Sequence, residues 1–233
     1  MADIFITGGT GYVGRRLVAE LLARGHGVRA LVRPGSEGRS PPGAEPVTGD
    51  ALDHRTFAAA VRAGETFVQL VGTPHPNPRK AAEFERVDFV SARESVIAAR
   101  AADVAHFVYV SVAQPAPAMQ AYVGVRARCE ALVRESGLDA TFVRPWYVLG
   151  PGHRWPYLLA PMYWVAERLP STRDTARRLG LVTLDAMVAA LVQAVESPPR
   201  GVRVVEVPEI RGARRRLGPP PRPARNPAAG AAL

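Results

Sequence analysis

The stretch Thr7-Gly8-Gly9-Thr10-Gly11-Tyr12-Val13-Gly14 decides how this chain reads. Before it, Asp3 to Thr7 is a short β-rich run. After it, Val13, Leu17, Leu21 and Leu22 recur at helical spacing, until Gly25-His26-Gly27 stops the helix. The glycines satisfy G-x-x-G-x-x-G through Gly8, Gly11 and Gly14, and G-x-G-x-x-G through Gly9, Gly11 and Gly14. One glycine permits a tight turn off a strand, another a close approach to a pyrophosphate, and the last lets the helix pack on the sheet. The helix N-terminus offers unpaired N–H donors and a positive dipole to phosphates. Strand, turn and helix in this order are the context such a motif needs. Gly8, Gly9, Thr10, Gly11, Tyr12, Val13 and Gly14 are therefore candidate cofactor-binding residues.

Outward from this unit the chain alternates strands and helices. Val28–Val32 reads as a second strand, the Gly/Pro/Ser-rich stretch from Pro34 to Pro46 as a loop, and the region around Val47 as a short strand. A helix is predicted over about Asp53–Ala63, a strand over Thr66–Val71 and a long helix over Ala81–Ala102. His106–Ser111 is an apolar strand, Tyr122–Glu135 a helix and Ala140–Arg144 a strand. Beyond Pro145, Met162–Leu169 has a helical pattern, Leu184–Val195 is an amphipathic helix and Val202–Val207 a late strand. Such alternation predicts an α/β fold, a doubly wound parallel sheet (Rossmann) covered on both faces. Residues 1–210 are expected to form one domain, with about 146–210 supplying a small C-terminal lobe that caps the substrate edge of the sheet.

Composition removes other classes. The chain has 233 residues and a formal charge of +9, yet Lys80 is its only lysine. The segment 211–233 holds six arginines, five prolines and no acid, so it accounts for +6 and reads as a disordered tail. No aromatic residue interleaves those arginines, so nucleic-acid binding is not expected. One cysteine, Cys129, forms no intramolecular disulfide and no multi-cysteine metal site. The segment 104–125 lacks charged residues, but Gln114, Pro115, Pro117 and Gln120 break it, so no membrane span is expected. The N-terminus lacks the basic segment and long apolar run of a secretory signal, and a cytoplasmic location is expected. No HExxH, GxSxG or carboxylate-pair pattern occurs, which disfavours hydrolase and zinc chemistry, and no metal is expected.

The second strand bears on the cofactor. An acid at its end would bond the ribose 2′-hydroxyl of NAD, but that position, 19 residues after Gly14, is Arg33. With Ser36 and Arg39 nearby, a guanidinium there suits a 2′-phosphate, so NADP is preferred over NAD. Asp50, followed by Ala51, either accepts from the adenine amino group or caps the following helix. Val71, Gly72 and Thr73 should approach the ribose and nicotinamide side.

The TGGTGYVG start, the Gly49-Asp50 step, the strand His106–Ser111 and the Arg144-Pro145…Gly150-Pro151-Gly152 segment resemble the short-chain dehydrogenase/reductase superfamily. More narrowly, they are similar to its atypical and extended branch, which includes NmrA-like proteins, NAD(P)H-binding reductases and nucleotide-sugar epimerases. The resemblance spans about residues 1–210. It implies a Ser at the end of the fifth long strand and a Tyr-x-x-x-Lys opening the next helix, with Tyr as general acid or base. Carried onto this chain, these are Ser111, Tyr122 and, in place of Lys, Arg126. Tyr122 and Arg126 are four residues apart and share a helix face. A guanidinium stabilises a phenolate, as lysine does, but it is planar and keeps its proton. Three readings stay open: an NADP(H)-dependent oxidoreductase acting on a small carbonyl compound, a nucleotide-sugar epimerase or dehydratase, and a non-catalytic NADP(H) sensor in which Tyr122 packs at a helix start and Arg126 faces solvent or the cofactor ribose. Pro145 is a further cofactor candidate; His75, Trp146 and Trp155 are candidates for the substrate pocket, Trp155 within an aromatic-rich run with His153, Tyr157, Tyr163 and Trp164. The oligomeric state, monomer or homodimer, is not read from the sequence.

Overall fold

The computed structural model of the chain describes residues 1–151, 168 and 173–218. The order is β1 (Asp3–Thr7), α1 (Tyr12–Ala23), β2 (Gly27–Val32), β3 (Glu45–Thr48) and β4 (Thr66–Gln69). A continuous helical segment follows: α2 (Ala81–Glu83), a π-helical turn (Phe84–Phe89) and α3 (Val90–Ala101). Next come β5 (His106–Val110), α4 (Gln120–Glu135), β6 (Ala140–Val143) and β7 (Tyr147–Leu149). Then α5 (Arg173–Arg178), β8 (Leu181–Thr183), α6 (Leu184–Glu196), β9 (Val202–Val205) and α7 (Val207–Arg216) complete the described chain.

Seven strands form one sheet in the order β3-β2-β1-β4-β5-β6-β9, every neighbouring pair parallel. The fold is the doubly wound Rossmann type. Sequential order reverses between β1 and β4, which is where open α/β sheets bind ligands beyond their strand ends. Alternation along the strands serves two cores. Ile4, Ile6, Val68 and Val108 face α1 and α6, against Leu17, Leu21, Met187 and Leu191. Phe5, Phe67, Phe107, Tyr109 and Phe142 face the other layer, against Phe84, Val96, Val125 and Val133. Phe5, Phe67 and Phe107 form a ladder across three strands, with successive ring centroids 5.2 and 5.3 Å apart.

Three expectations are corrected. The helix predicted over 53–63 is instead two 3-10 turns, His54–Thr56 and Ala58–Ala60. Buried Phe57 interrupts them with φ −139°, outside the helical range. The tail expected to be disordered from 211 begins as helix α7, running to Arg216. Val207, Ile210 and Ala213 bury one stripe of that helix, and Gln193 Nε2 on α6 donates to Ala213 O at 2.9 Å. Residues 219–233 lie outside the described residues. Within 146–210, assigned above to a capping lobe, α6 packs on α1 and the sheet, and β9 forms an edge of the main sheet. A separate two-stranded parallel sheet, β7 with β8, is the described part that departs from those layers. The helical pattern over 162–169 falls outside the described residues except Arg168. Among the described residues, no helix is long and apolar enough to cross a membrane.

Candidate active site

The glycine turn lies at the carboxyl end of β1, and its close contacts are internal. Gly8 takes φ +77°, and a Cβ there would stand 2.9 Å from the backbone of Leu70 and Val71. A Cβ on Gly14 would stand 2.2 Å from Gly8 O and 2.8 Å from the Gly9 backbone. Gly11 N donates to Gly8 O at 3.0 Å, closing the turn. Gly11 caps α1 with no side-chain hydrogen bond, and the first turn carries no acid. The first-turn N–H groups thus lack a carboxylate that would compete with a phosphate. The glycines are thus required by packing against the turn's own backbone and the residues after β4, and the turn leaves the N-terminus of α1, the kind of helix end that binds a dinucleotide pyrophosphate.

Beside it, β4 delivers the second wall. Thr7 Oγ1 donates to Gln69 Oε1 at 2.5 Å, and Val71 N donates to the same oxygen at 2.8 Å. These bonds tie the ends of β1 and β4 together. The following residues, Gly72 and Thr73, line a cleft of about 540 Å³. That cleft also takes in Tyr12 from the start of α1, Ser111 after β5, Tyr122 and Arg126 from α4, and Pro145 and Trp146 after β6. Residues far apart in the chain therefore meet on one edge because parallel strands all end there. His75 lines the cleft from an exposed loop, with φ 49°. Trp146 stands edge-on to Tyr147, centroids 5.6 Å apart. Trp155 and the aromatic run around it lie outside the described residues.

Ser111 is 3% exposed, and its Oγ has no hydrogen-bond partner among the described residues. A buried hydroxyl left unpaired costs about 1–3 kcal/mol, so a water or a ligand atom in the cleft is what would pair it. The Tyr122 ring stacks at a tilt on Phe84, centroids 5.0 Å apart, and the Arg126 guanidinium carbon stands 5.2 Å from its centroid. Burial pushes the Tyr122 phenol above its ordinary value, and the Arg126 cation partly opposes that shift.

Arg126 does not face solvent. It is 5% exposed; Nη1 donates to Val110 O at 2.8 Å and Tyr109 Oη at 3.1 Å, and Nη2 donates to Asp88 Oδ1 at 2.5 Å. The guanidinium also explains Gly72, where a Cβ would meet Nη2 at 2.1 Å. The close approach that Gly72 permits is thus to Arg126. Lys80 is held in its own loop, donating to Pro74 O at 2.6 Å.

The adenine-side candidates are more open. Arg33 is exposed at the end of β2, with no side-chain partner among the described residues. Asp50 Oδ1 accepts from Leu52 N at 2.9 Å in a local turn, and Ala51 is half-buried beside it.

Two groups escaped the sequence reading. Asp88 is fully buried in the π-helical turn and bonds both Arg126 and Thr73. Its signal was the spacing Phe84, Asp88, Ser91, Ser95, one buried helical face with a single acid on it. Glu130 accepts from Arg144 Nε and Nη2 at 2.8 and 2.5 Å, while Arg144 Nη1 donates to Glu206 at 2.9 Å, fixing the residue before Pro145. Away from the cleft, Asp53, His54 and Glu94 bring ligand-type atoms within 4.8 Å, but Glu94 is already held by His54 and Arg93.

Fold and site together define a nicotinamide-dinucleotide-binding protein of the Rossmann type. Residues 8–154 match the family described as NAD(P)H-binding, and the chain belongs to that family. It is 30% identical over 215 residues to a ceramide reductase of Caulobacter vibrioides, covering 89% of this chain and 65% of that protein's length. A 3-diazoavenalumate denitrifying reductase of Streptomyces is 32% identical, covering 85% of this chain and 73% of the other. Among solved structures, the Bordetella bronchiseptica enzyme WbmH in complex with NAD+ has the same fold, with TM-score 0.64, 20% identity and coverage of 88% and 75%.

Proposed function

We propose that the protein is an NADP(H)-dependent oxidoreductase that reduces, or forms by oxidation, a small uncharged carbonyl compound. The observation that carries this is that Ser111 Oγ, buried and unpartnered among the described residues, and Tyr122 line one cleft together with Tyr12 at the start of α1. The dinucleotide would be held by Gly8 through Gly14, with Val71, Gly72, Thr73 and Pro145 toward its nicotinamide half and Asp50 and Ala51 toward its adenine. When bound it supplies hydride to carbon. Tyr122 gives the proton to the oxygen that becomes hydroxyl, and Ser111 donates a hydrogen bond to the same oxygen. Arg126 holds the phenol from beneath and does not exchange its own proton. Trp146, with His75 at the mouth, and Trp155 further along the chain are assigned to substrate. The apolar share of the cleft wall, Leu70, Val110, Val112 and Val148, favours an uncharged substrate. Reductases among the relatives support the same reaction class.

One observation favours a second reading, a protein that binds NADP(H) without turnover: both Nη atoms of Arg126 are already engaged by protein groups. The two readings separate when purified protein and NADPH are offered aldehydes, ketones and quinones. Consumption of NADPH with at least one of them supports the enzyme; tight binding with none supports the sensor.

NADP preference is assigned to Arg33. Arg33→Ala should weaken NADPH binding by roughly 10- to 100-fold, the worth of about 1.5–3 kcal/mol for a charge-assisted hydrogen bond, and leave NADH nearly unchanged. Calorimetric titration with both cofactors measures the ratio. An unchanged ratio overturns the assignment.

A further inference from the structure

The buried charge that the proposed chemistry does not use is Asp88. Its carboxylate is fully enclosed, and each oxygen has a distinct task. Oδ1 accepts from Arg126 Nη2 at 2.5 Å, while Oδ2 accepts from Thr73 N at 2.9 Å and Thr73 Oγ1 at 2.6 Å. Its backbone is gripped as well: Ser91 Oγ donates to Asp88 O at 3.2 Å, and the Cys129 thiol approaches the same oxygen at 3.8 Å. The residue sits in the π-helical turn Phe84–Phe89, an irregularity that occurs often at functional sites. A lone carboxylate in such a place would be costly, and so would a lone guanidinium; each makes the other's burial tolerable.

We propose that Asp88 is the positioning residue and counter-ion of the site: it sets the Arg126 guanidinium beneath Tyr122 and ties it to the Gly72–Thr73 wall of the cleft. The inference rests on the oxidoreductase reading for its catalytic meaning, but not for its geometry. Three chain segments meet at this carboxylate, 15 residues from Thr73 and 38 from Arg126. Gly72 belongs to the same unit, since a Cβ there would stand 3.2 Å from Asp88 Oδ1 as well as striking Nη2. Thr73, counted above among cofactor contacts, spends its hydroxyl proton on Asp88, so its contribution to the cleft is through shape.

The electrical consequence is specific. The titratable groups that act on Tyr122 and on the Arg126 guanidinium are Cys129 from α4, Asp88 from the π-helical turn and Tyr109 from β5, with His75 lining the same cleft. Arg126 favours the phenolate and Asp88 opposes it. Burial is the largest influence keeping the phenol protonated, and the carboxylate adds to it by offsetting part of the cation's pull. Asp88→Asn leaves the cation uncompensated, so the phenol should ionise at lower pH, by about one unit or more.

The test uses the whole protein without cofactor. Phenolate absorbance is followed against pH, with Tyr122→Phe subtracted to isolate that one ring. The expected result is a lower ionisation pH for Tyr122 in Asp88→Asn, with the alkaline limb of the NADPH-dependent rate moving the same way. A merely structural Asp88 would alter melting temperature and leave the phenol where it is in wild type, which overturns the inference. If Asp88→Asn does not fold, the pair Arg126→Gln and Asp88→Asn/Arg126→Gln replaces it, the double variant leaving no lone buried charge. The single should then titrate higher than the double, and identical titrations overturn the inference. A shifted phenol in a protein that turns over no carbonyl would uphold Asp88 and remove the oxidoreductase reading. Turnover that depends on Tyr122 but ignores Asp88 in both measurements would do the reverse.

Discussion

Gly14→Ala should abolish useful cofactor binding. The added Cβ would stand 2.2 Å from Gly8 O, against backbone that is itself pinned by Gly8 on the end of β4. Relief requires α1 to move off the glycine turn, which would displace the helix N-terminus to which the proposed function assigns the phosphates. A loss of at least ~100-fold in NADPH affinity is expected, ~2.8 kcal/mol at 1.4 kcal/mol per decade. Overpacking should also cost about 1–3 kcal/mol of stability. Gly124→Ala is the control: it lies on the exposed face of α4 with nothing within 4 Å of the added carbon. That substitution should leave NADPH affinity unchanged and raise stability by about 1 kcal/mol through helix propensity. Isothermal titration and thermal melts of both variants check the pair. Equal cofactor affinity in Gly14→Ala and wild type would remove the dinucleotide from the glycine turn.

The second large effect is at Tyr122. Tyr122→Phe keeps the ring on Phe84 and over the Arg126 guanidinium, and removes only the hydroxyl. A positioned general acid is worth about 10²- to 10⁴-fold, so kcat for carbonyl reduction should fall by that range while NADPH affinity stays within about twofold. The pH dependence has a definite sign. Burial holds the phenol above its ordinary value, so the proton-donating form persists through neutrality and is lost only on the alkaline side. Reduction should therefore be flat through neutral pH and decline at high pH in wild type. In Tyr122→Phe that alkaline limb should vanish together with most of the rate. An unchanged kcat would move the proton donor elsewhere.

What could be read from sequence followed local rules. The glycine spacing, a β run before it and apolar helical periodicity after it placed β1, the turn and α1, and strand–helix alternation placed the parallel sheet. Ser111, Tyr122 and Arg126 fall in one cleft because the end of β5 and the start of α4 share a sheet edge. The partners of Arg126 were not legible, since Asp88 lies 38 residues earlier and meets it only through tertiary packing. That packing replaced the alternative of a solvent-facing Arg126. The β7–β8 pair escaped because three-residue strands carry too little periodicity. Arginine content hid α7, whose stability comes from Val207, Ile210 and Ala213 on its buried stripe. The helix expected over 53–63 does not form, because burial of Phe57 goes with a φ of −139° in its middle.

The most direct measurement is the fate of hydride. NADPH carrying deuterium at the transferable C4 position is incubated with the protein and the carbonyl compound that best supports consumption in the panel, and the product is analysed for label. Deuterium on the former carbonyl carbon in wild type, with its appearance slowed by about two to four orders of magnitude in Tyr122→Phe, is the predicted result. NADPH bound tightly, with the label still on the cofactor for every compound offered, would contradict the account and leave a dinucleotide-binding protein without this chemistry.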